Sequence, residues 1–224
     1  MTEQLILDVL PVVPPRFDNF VTGRNGEAIS HLRAARSGQS LYLWGEHGSG
    51  KTHLLRAATR QNGLFVNAAT DTLPDPGEPV LPAFVIAVDD VHELSETQAA
   101  ALFGLFNQWK ARQDTPEAFT LLCSGPCAPR QLQIREDLRT RLSWDLVYRL
   151  ETLSDDERRG ALLQRATDKG IRLGTEVTDW MFNYYARDMS ALSSLLDALD
   201  RYSLAEKRAI TVPLLKSYLQ SRHP

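Results

Sequence analysis

Hydrophobic positions along this chain follow two rhythms, and the change between them falls near residue 151. Before it, short apolar runs alternate with stretches of helical period. Ile29, Leu32 and Ala35 recur at helical spacing within residues 24–36, and Gly38 is placed to end that helix. Leu41-Tyr42-Leu43-Trp44 is an apolar run that enters a glycine-rich turn, and residues 52–61 return to helical period. Leu64-Phe65-Val66-Asn67 reads as a second strand. Pro74, Pro76, Gly77, Pro79 and Pro82 make residues 70–82 a surface loop. Phe84-Val85-Ile86-Ala87-Val88 is uninterrupted, the pattern of a central parallel strand covered on both faces. A helix over 95–112, with Ser95 as N-cap, a strand over 119–123 and another over 144–150 complete the alternation. Strands that alternate with helices predict an α/β doubly wound sheet, five-stranded and parallel.

After Leu150 only the helical period remains, over 154–169, 175–186, 190–205 and 213–222. Ser154-Asp155-Asp156-Glu157, Thr175 and Pro213 mark starts, and Gly170 and Gly174 bracket a turn. At the other end, Pro11, Pro14 and Pro15 forbid a helix, so residues 1–15 read as an extended arm. The expected organisation is an arm over 1–15, an α/β domain over 16–150 and a small all-helical domain over 151–224.

Composition narrows the function classes. The 224 residues suit one larger domain carrying a small one, and 43% hydrophobic residues fill a core. The formal net charge of −3 excludes a general polyanion binder. No run reaches the ~18 apolar residues of a membrane helix, and the acidic start shows no cleavable signal. Cys123 and Cys127 have the wrong spacing for a zinc or thioredoxin motif and read as ordinary thiols of a reducing cytoplasm.

The chemistry is concentrated at Gly45-Glu46-His47-Gly48-Ser49-Gly50-Lys51-Thr52, which fits G-x-x-x-x-G-K-[ST] at every fixed position. Glycines let successive N–H groups face a phosphate, Lys51 brings a charge to the terminal phosphates, and Thr52 offers a hydroxyl to Mg²⁺. A chance glycine-rich turn would not be expected between a predicted strand and a predicted helix. His47 and His53 lie beside this loop, where packing explains them better than catalysis. Asp89 and Asp90 end the central strand, at the edge where open α/β sheets bind ligands. There Asp89 suits Mg²⁺ and Asp90 suits orientation of an attacking water. Ser124, ending the next strand, stands where a polar side chain can sense the γ-phosphate.

Together these features resemble the AAA+ ATPases and, within them, the ATPase domain of the bacterial initiator DnaA. The likeness covers residues 16–222. It is carried by Arg16-Phe17-Asp18-Asn19-Phe20-Val21, the loop with Thr52-His53-Leu54-Leu55, Val88-Asp89-Asp90-Val91, Leu138-Arg139-Thr140-Arg141-Leu142-Ser143-Trp144, Ile171-Arg172-Leu173 and Arg208-Ala209-Ile210-Thr211. No helix-turn-helix domain follows, so the chain is similar to the Hda family of short DnaA-related regulators that inactivate the initiator. That resemblance implies ADP or ATP with Mg²⁺ as ligands over Gly45 to His53, and DnaA as partner. It assigns Arg141 as an arginine finger acting in trans, with Arg139 its nearest competitor. It also implies a departure. Where the family places a sensor arginine, Met189-Ser190-Ala191-Leu192 carries Ser190, and Arg187 lies one helical turn earlier. Intrinsic hydrolysis is therefore expected to be weak.

Gln4-Leu5-Ile6-Leu7-Asp8-Val9 on the arm resembles the Gln-Leu-x-Leu peptides that dock on the DNA polymerase III sliding clamp (its beta subunit), with Gln4, Leu5 and Leu7 as anchors. The Asp8-Val9 ending departs from the commoner pattern. The alternative for the same residues is an apolar strand folded onto the domain itself. Three functions compete: a clamp-tethered regulator that triggers hydrolysis by DnaA, an autonomous ATPase of the helicase-loader type, and a DNA-binding initiator fragment. Near-neutral charge and the absent DNA reader disfavour the last, and no sequence-specific DNA contact is expected. Assembly with further copies of the chain is compatible with the family.

Overall fold

The computed structural model describes residues 14–74, 84–185 and 188–221. Gln4, Leu5 and Leu7, most of the proline-rich loop, and Arg187 lie outside the described residues. Two compact units emerge, Pro15–Thr152 and a helical one that carries Leu153–Pro224.

The first unit is built on β1 (Ser40–Trp44), β2 (Gly63–Asn67), β3 (Val85–Asp89), β4 (Thr120–Gly125) and β5 (Leu146–Arg149). These strands form a parallel sheet in the order β2-β3-β4-β1-β5. The five-stranded doubly wound expectation therefore holds. Alternation along each strand sorts side chains between two layers. Leu41, Leu43, Ala87 and Leu122 pack against α1 (Gly26–Arg33) and α2 (Lys51–Thr59), through Ile29, Leu32, Leu54 and Leu55. Tyr42, Ile86, Val88, Leu121 and Cys123 turn the other way, onto Leu102, Leu105, Phe106 and Trp109 of α3 (Glu96–Arg112) and Leu138 of α4 (Glu136–Arg141). Central strands covered on both faces need continuous apolar runs, and this is why residues 84–88 could be recognised. The edge strands β2 and β5 are only partly covered, with Leu64 and Val147 exposed.

Among the boundaries that differ from expectation, two have clear local reasons. The helix expected to Arg36 stops at Arg33 with Ala34 as its cap, because by Gly38 the chain already runs beside β4. Gly38 has a φ of +89° and donates its N–H to the Phe119 carbonyl at 2.9 Å. The last strand begins at Leu146 rather than Trp144. Asp145 is occupied as an acceptor for the Ser40 N–H, at 2.8 Å. Ser95 caps α3 through a reciprocal pair with Gln98.

The second unit comprises α5 (Asp155–Asp168), α6 (Thr175–Tyr184), α7 (Met189–Glu206) and α8 (Val212–Gln220). Leu162, Met181, Phe182, Leu192, Leu195, Leu196, Leu199, Leu214 and Leu215 form its core. Ser154 and Glu157 make the expected capping box at α5. Asp197 of α7 pairs with Lys169 at 2.7 Å and with Arg165 at 3.2 Å, tying α7 to the end of α5. Among the described residues no helix is long and apolar enough to cross a membrane.

Candidate functional site

The loop from Gly45 to Gly50 leaves the C-terminal end of β1 and opens α2. Gly45, Gly48 and Gly50 take φ values of +156°, +80° and +94°, conformations that L side chains rarely adopt. A Cβ on Gly45 would also collide with the Leu150 carbonyl oxygen, so the loop starts in direct contact with the end of β5. Gly50 meets the Phe20 ring in the same way, whereas Gly48 faces open space.

Lys51 is only 8% exposed, and its ammonium donates to the Gly45 carbonyl at 2.8 Å and the Glu46 carbonyl at 3.1 Å. The amine thus ties both ends of the loop's entry. Burial pulls its pKa below the usual lysine range, while Asp90 and Asp89 act in the opposite sense. Ser49 is buried and its hydroxyl has no hydrogen-bond partner. Glu46, His47, Gly48 and Thr52 are exposed.

The acidic pair is divided between two environments. Asp89 is fully buried and accepts a short hydrogen bond from the Ser124 hydroxyl through Oδ1, while Oδ2 has no partner. Asp90 is half-buried, in the left-handed region at φ 55°, and its N–H donates to the Ser124 oxygen at 3.1 Å. Burial, then the Asp89 charge, pushes the Asp90 carboxyl up, against His92 and Lys51. Ser124 therefore links the two acids, donating to one residue and accepting from the other. Its hydroxyl proton is committed to Asp89, a role that strand-end placement alone did not disclose.

These features fit a phosphate-bound Mg²⁺. Among the described residues no group of three or more His, Cys, Asp or Glu side chains could hold a metal. Mg²⁺ commonly takes one or two protein ligands and completes its shell with phosphate and water. The orphaned Oδ2 of Asp89 and the exposed Thr52 hydroxyl supply such a minimal set. Beside the loop, Trp44, Gly45, Glu46, Pro126, Arg149 and Leu150 line much of a groove of about 380 Å³.

Two neighbours of the site, Phe20 and Asn25, were given no role by the sequence reading, and His53 takes the packing role expected of it. Phe20 covers Gly50 and packs against His53, their rings 5.4 Å apart. His53 in turn lies 2.9 Å from the Arg16 carbonyl, so its ring pins residues 16–20 beside the loop. Asn25 bonds the Glu151 backbone with both side-chain atoms, at 2.9 and 2.8 Å. Phe20 belonged to a segment that carried the resemblance, Arg16 to Val21, whereas nothing in the sequence pointed to Asn25.

Arg141 belongs to a different place. It ends α4, before Trp144 and Asp145 lead into β5, and so lies at the N-terminal edge of the sheet. Its guanidinium carbon is 3.7 Å from the Phe103 ring centre and 4.7 Å from that of Trp144. The structure thus brings Gly45 to Thr52, Asp89, Asp90 and Ser124 to one edge and puts Arg141 at the other.

Comparison with known proteins agrees with this architecture. The family model described as Hda, lid domain, matches residues 155–219. A protein of Haemophilus influenzae, described as an uncharacterized protein, is 30% identical over 240 residues, covering 98% of this chain and 99% of the relative. Domain III of the Thermotoga maritima replication initiation protein DnaA superposes with a TM-score of 0.61 at 17% identity, over 96% of this chain and 100% of that one. A Thermotoga maritima RuvB variant gives 0.62 at 15% identity, over 93% and 72%. A replication initiator DnaA bound to AMPPCP and single-stranded DNA gives 0.61 at 16% identity, over 88% and 69%.

Proposed function

The chain belongs to the Hda-like, DnaA-related AAA+ proteins, and from that premise we propose that it is an adenine-nucleotide-binding regulator that stimulates ATP hydrolysis by DnaA. Its effect would be to restrain initiation of chromosome replication. Lys51 and the N–H groups of residues 45–50 would hold the phosphates, and Thr52 and Asp89 the Mg²⁺, with Ser124 fixing the acids. Mg²⁺ bound there would neutralise phosphate charge.

The observation that carries the reading is the separation of Arg141 from its own loop. Asp145 accepts the N–H of Ser40, the first residue of β1, whereas the loop follows Trp44, the last. Five strand residues at ~3.3 Å each place the two edges roughly 16 Å apart, a span one arginine side chain does not cross. A guanidinium so placed serves a nucleotide held by another subunit.

The arm carries the second half of the proposal. Gln4, Leu5 and Leu7 would tether the protein to the sliding clamp; the support is the sequence motif alone. The test combines protein, DnaA–ATP, clamp and DNA, omits each component in turn, and follows phosphate release. Arg141→Ala is expected to abolish stimulation while nucleotide and clamp binding survive, and Arg141→Lys to rescue poorly, since a point charge lacks the planar fork. Normal stimulation by Arg141→Ala would overturn the reading. Loss of the protein's own slow hydrolysis, with DnaA unaffected, would favour an autonomous enzyme. For the tether, replacing Gln4, Leu5 and Leu7 by Ala should weaken a clamp pull-down and leave ADP affinity unchanged.

A further inference from the structure

We propose that Phe103 and Trp144 are positioning residues that hold the Arg141 guanidinium in its working orientation before any partner arrives. The inference rests on the reading of Arg141 as a group acting in trans, and it assigns that action two further side chains. Phe103 lies on α3 and Trp144 on the connection between α4 and β5, so the rings reach Arg141 from different segments. Both lie within cation–π range of its guanidinium carbon, at 3.7 and 4.7 Å.

Trp144 is 43% exposed, yet its position is fixed. Its ring stands edge-on to the buried Phe106, with centroids 6.5 Å apart and an 85° angle between planes. Its backbone N–H donates to the Arg141 carbonyl at 3.0 Å, which fixes the chain that carries the ring. Lys110 approaches the same ring at 5.9 Å. Arg135, the other guanidinium near Phe103, stands off at 5.7 Å and is paired with Asp137 at 2.6 Å, so it does not compete for the close position.

Stacking engages the flat faces of a guanidinium and leaves its in-plane N–H donors for a phosphate. A free arginine must give up its rotamer freedom when it docks, and one already held against two rings has given up much of it beforehand. The gain should therefore appear in the maximal rate of the partner's hydrolysis, more than in the affinity for the partner.

The test uses the full chain with DnaA–ATP, clamp and DNA. Trp144→Leu and Phe103→Leu should each lower the maximal stimulated rate about threefold to tenfold, with little change in the half-saturating concentration. Trp144→Phe, which keeps a ring, should recover most of the loss. Independently of any partner, the Arg141 Nε–Hε resonance should carry a ring-current shift that the Leu variants diminish. Leu variants that raise only the half-saturating concentration, or that keep the full maximal rate while Arg141→Ala fails, would overturn the proposal and leave the rings a packing role. Normal stimulation by Arg141→Ala would instead remove the trans reading, and this proposal with it.

Discussion

The two edges of the one sheet are finished to different degrees. At the C-terminal edge, polar groups are buried without full compensation: the Ser49 hydroxyl and Oδ2 of Asp89 have no partner, and Lys51 satisfies itself on loop carbonyls. At the N-terminal edge, Arg141 lies on two rings and Asp145 closes the start of β1. One edge is shaped for something that must enter it. The other presents a group already in place. The fold keeps these two chemistries about a strand's length apart.

The comparison breaks most visibly at Lys51. Lys51→Met is expected to weaken ADP binding by about a hundredfold or more in calorimetry, because charge-assisted contacts to phosphate are lost. The same change should leave the melting temperature of the nucleotide-free protein unchanged or higher, since it removes a buried cation whose pKa burial already lowers. A large fall in melting temperature would mean that Lys51 serves the empty fold.

Next in size is the bridge between the acids. Ser124→Ala leaves Oδ1 of Asp89 and the Asp90 N–H unpartnered, and is expected to lower unfolding stability in urea by about 1–3 kcal/mol. At the opposite edge, Asp145→Ala frees one N–H, that of Ser40, and should cost about 0.5–1.5 kcal/mol. Equal losses would erase the distinction between the edges.

The smallest effect is the pH dependence of Asp90. Its carboxyl is pushed up by burial and by Asp89, so the folded state holds a proton that the unfolded state, near 3.9, releases earlier. Asp90 therefore contributes stability that is present below about pH 3.9 and lost as pH rises through the raised value. Asp90→Asn tolerates the left-handed backbone. Wild-type stability relative to that variant should decline with rising pH across this window, and a flat difference would contradict the assignment.

How much of this was legible in the sequence depends on the distance along the chain over which each feature is specified. The sheet was legible because each buried strand carries its own apolar run, and the loop because its glycines are forced by local backbone angles. The helical unit announced itself through period and through the Ser154 box. Features made by distant residues were hidden. The Ser124 hydroxyl finds Asp89 across neighbouring strands, Asn25 clasps Glu151, and Phe103 meets Arg141, with no periodicity linking the members of any pair. The six-residue helix α4 was too short to impose a rhythm, although Leu138 and Leu142 are both buried. A motif names the residues that touch a ligand; side chains that aim those residues come from tertiary packing.

The unpartnered oxygen of Asp89 bears on resistance to proteolysis as well as on binding. A buried carboxylate oxygen without a partner makes the empty molecule easier to open, and any ligand that prefers the folded form shifts that balance by mass action. Occupancy by nucleotide and Mg²⁺ would then set how often the core is offered to proteases. Digestion of the purified protein should slow in proportion to ADP and Mg²⁺ added, and that protection should largely vanish in Lys51→Met. Nucleotide supply would govern abundance as well as activity.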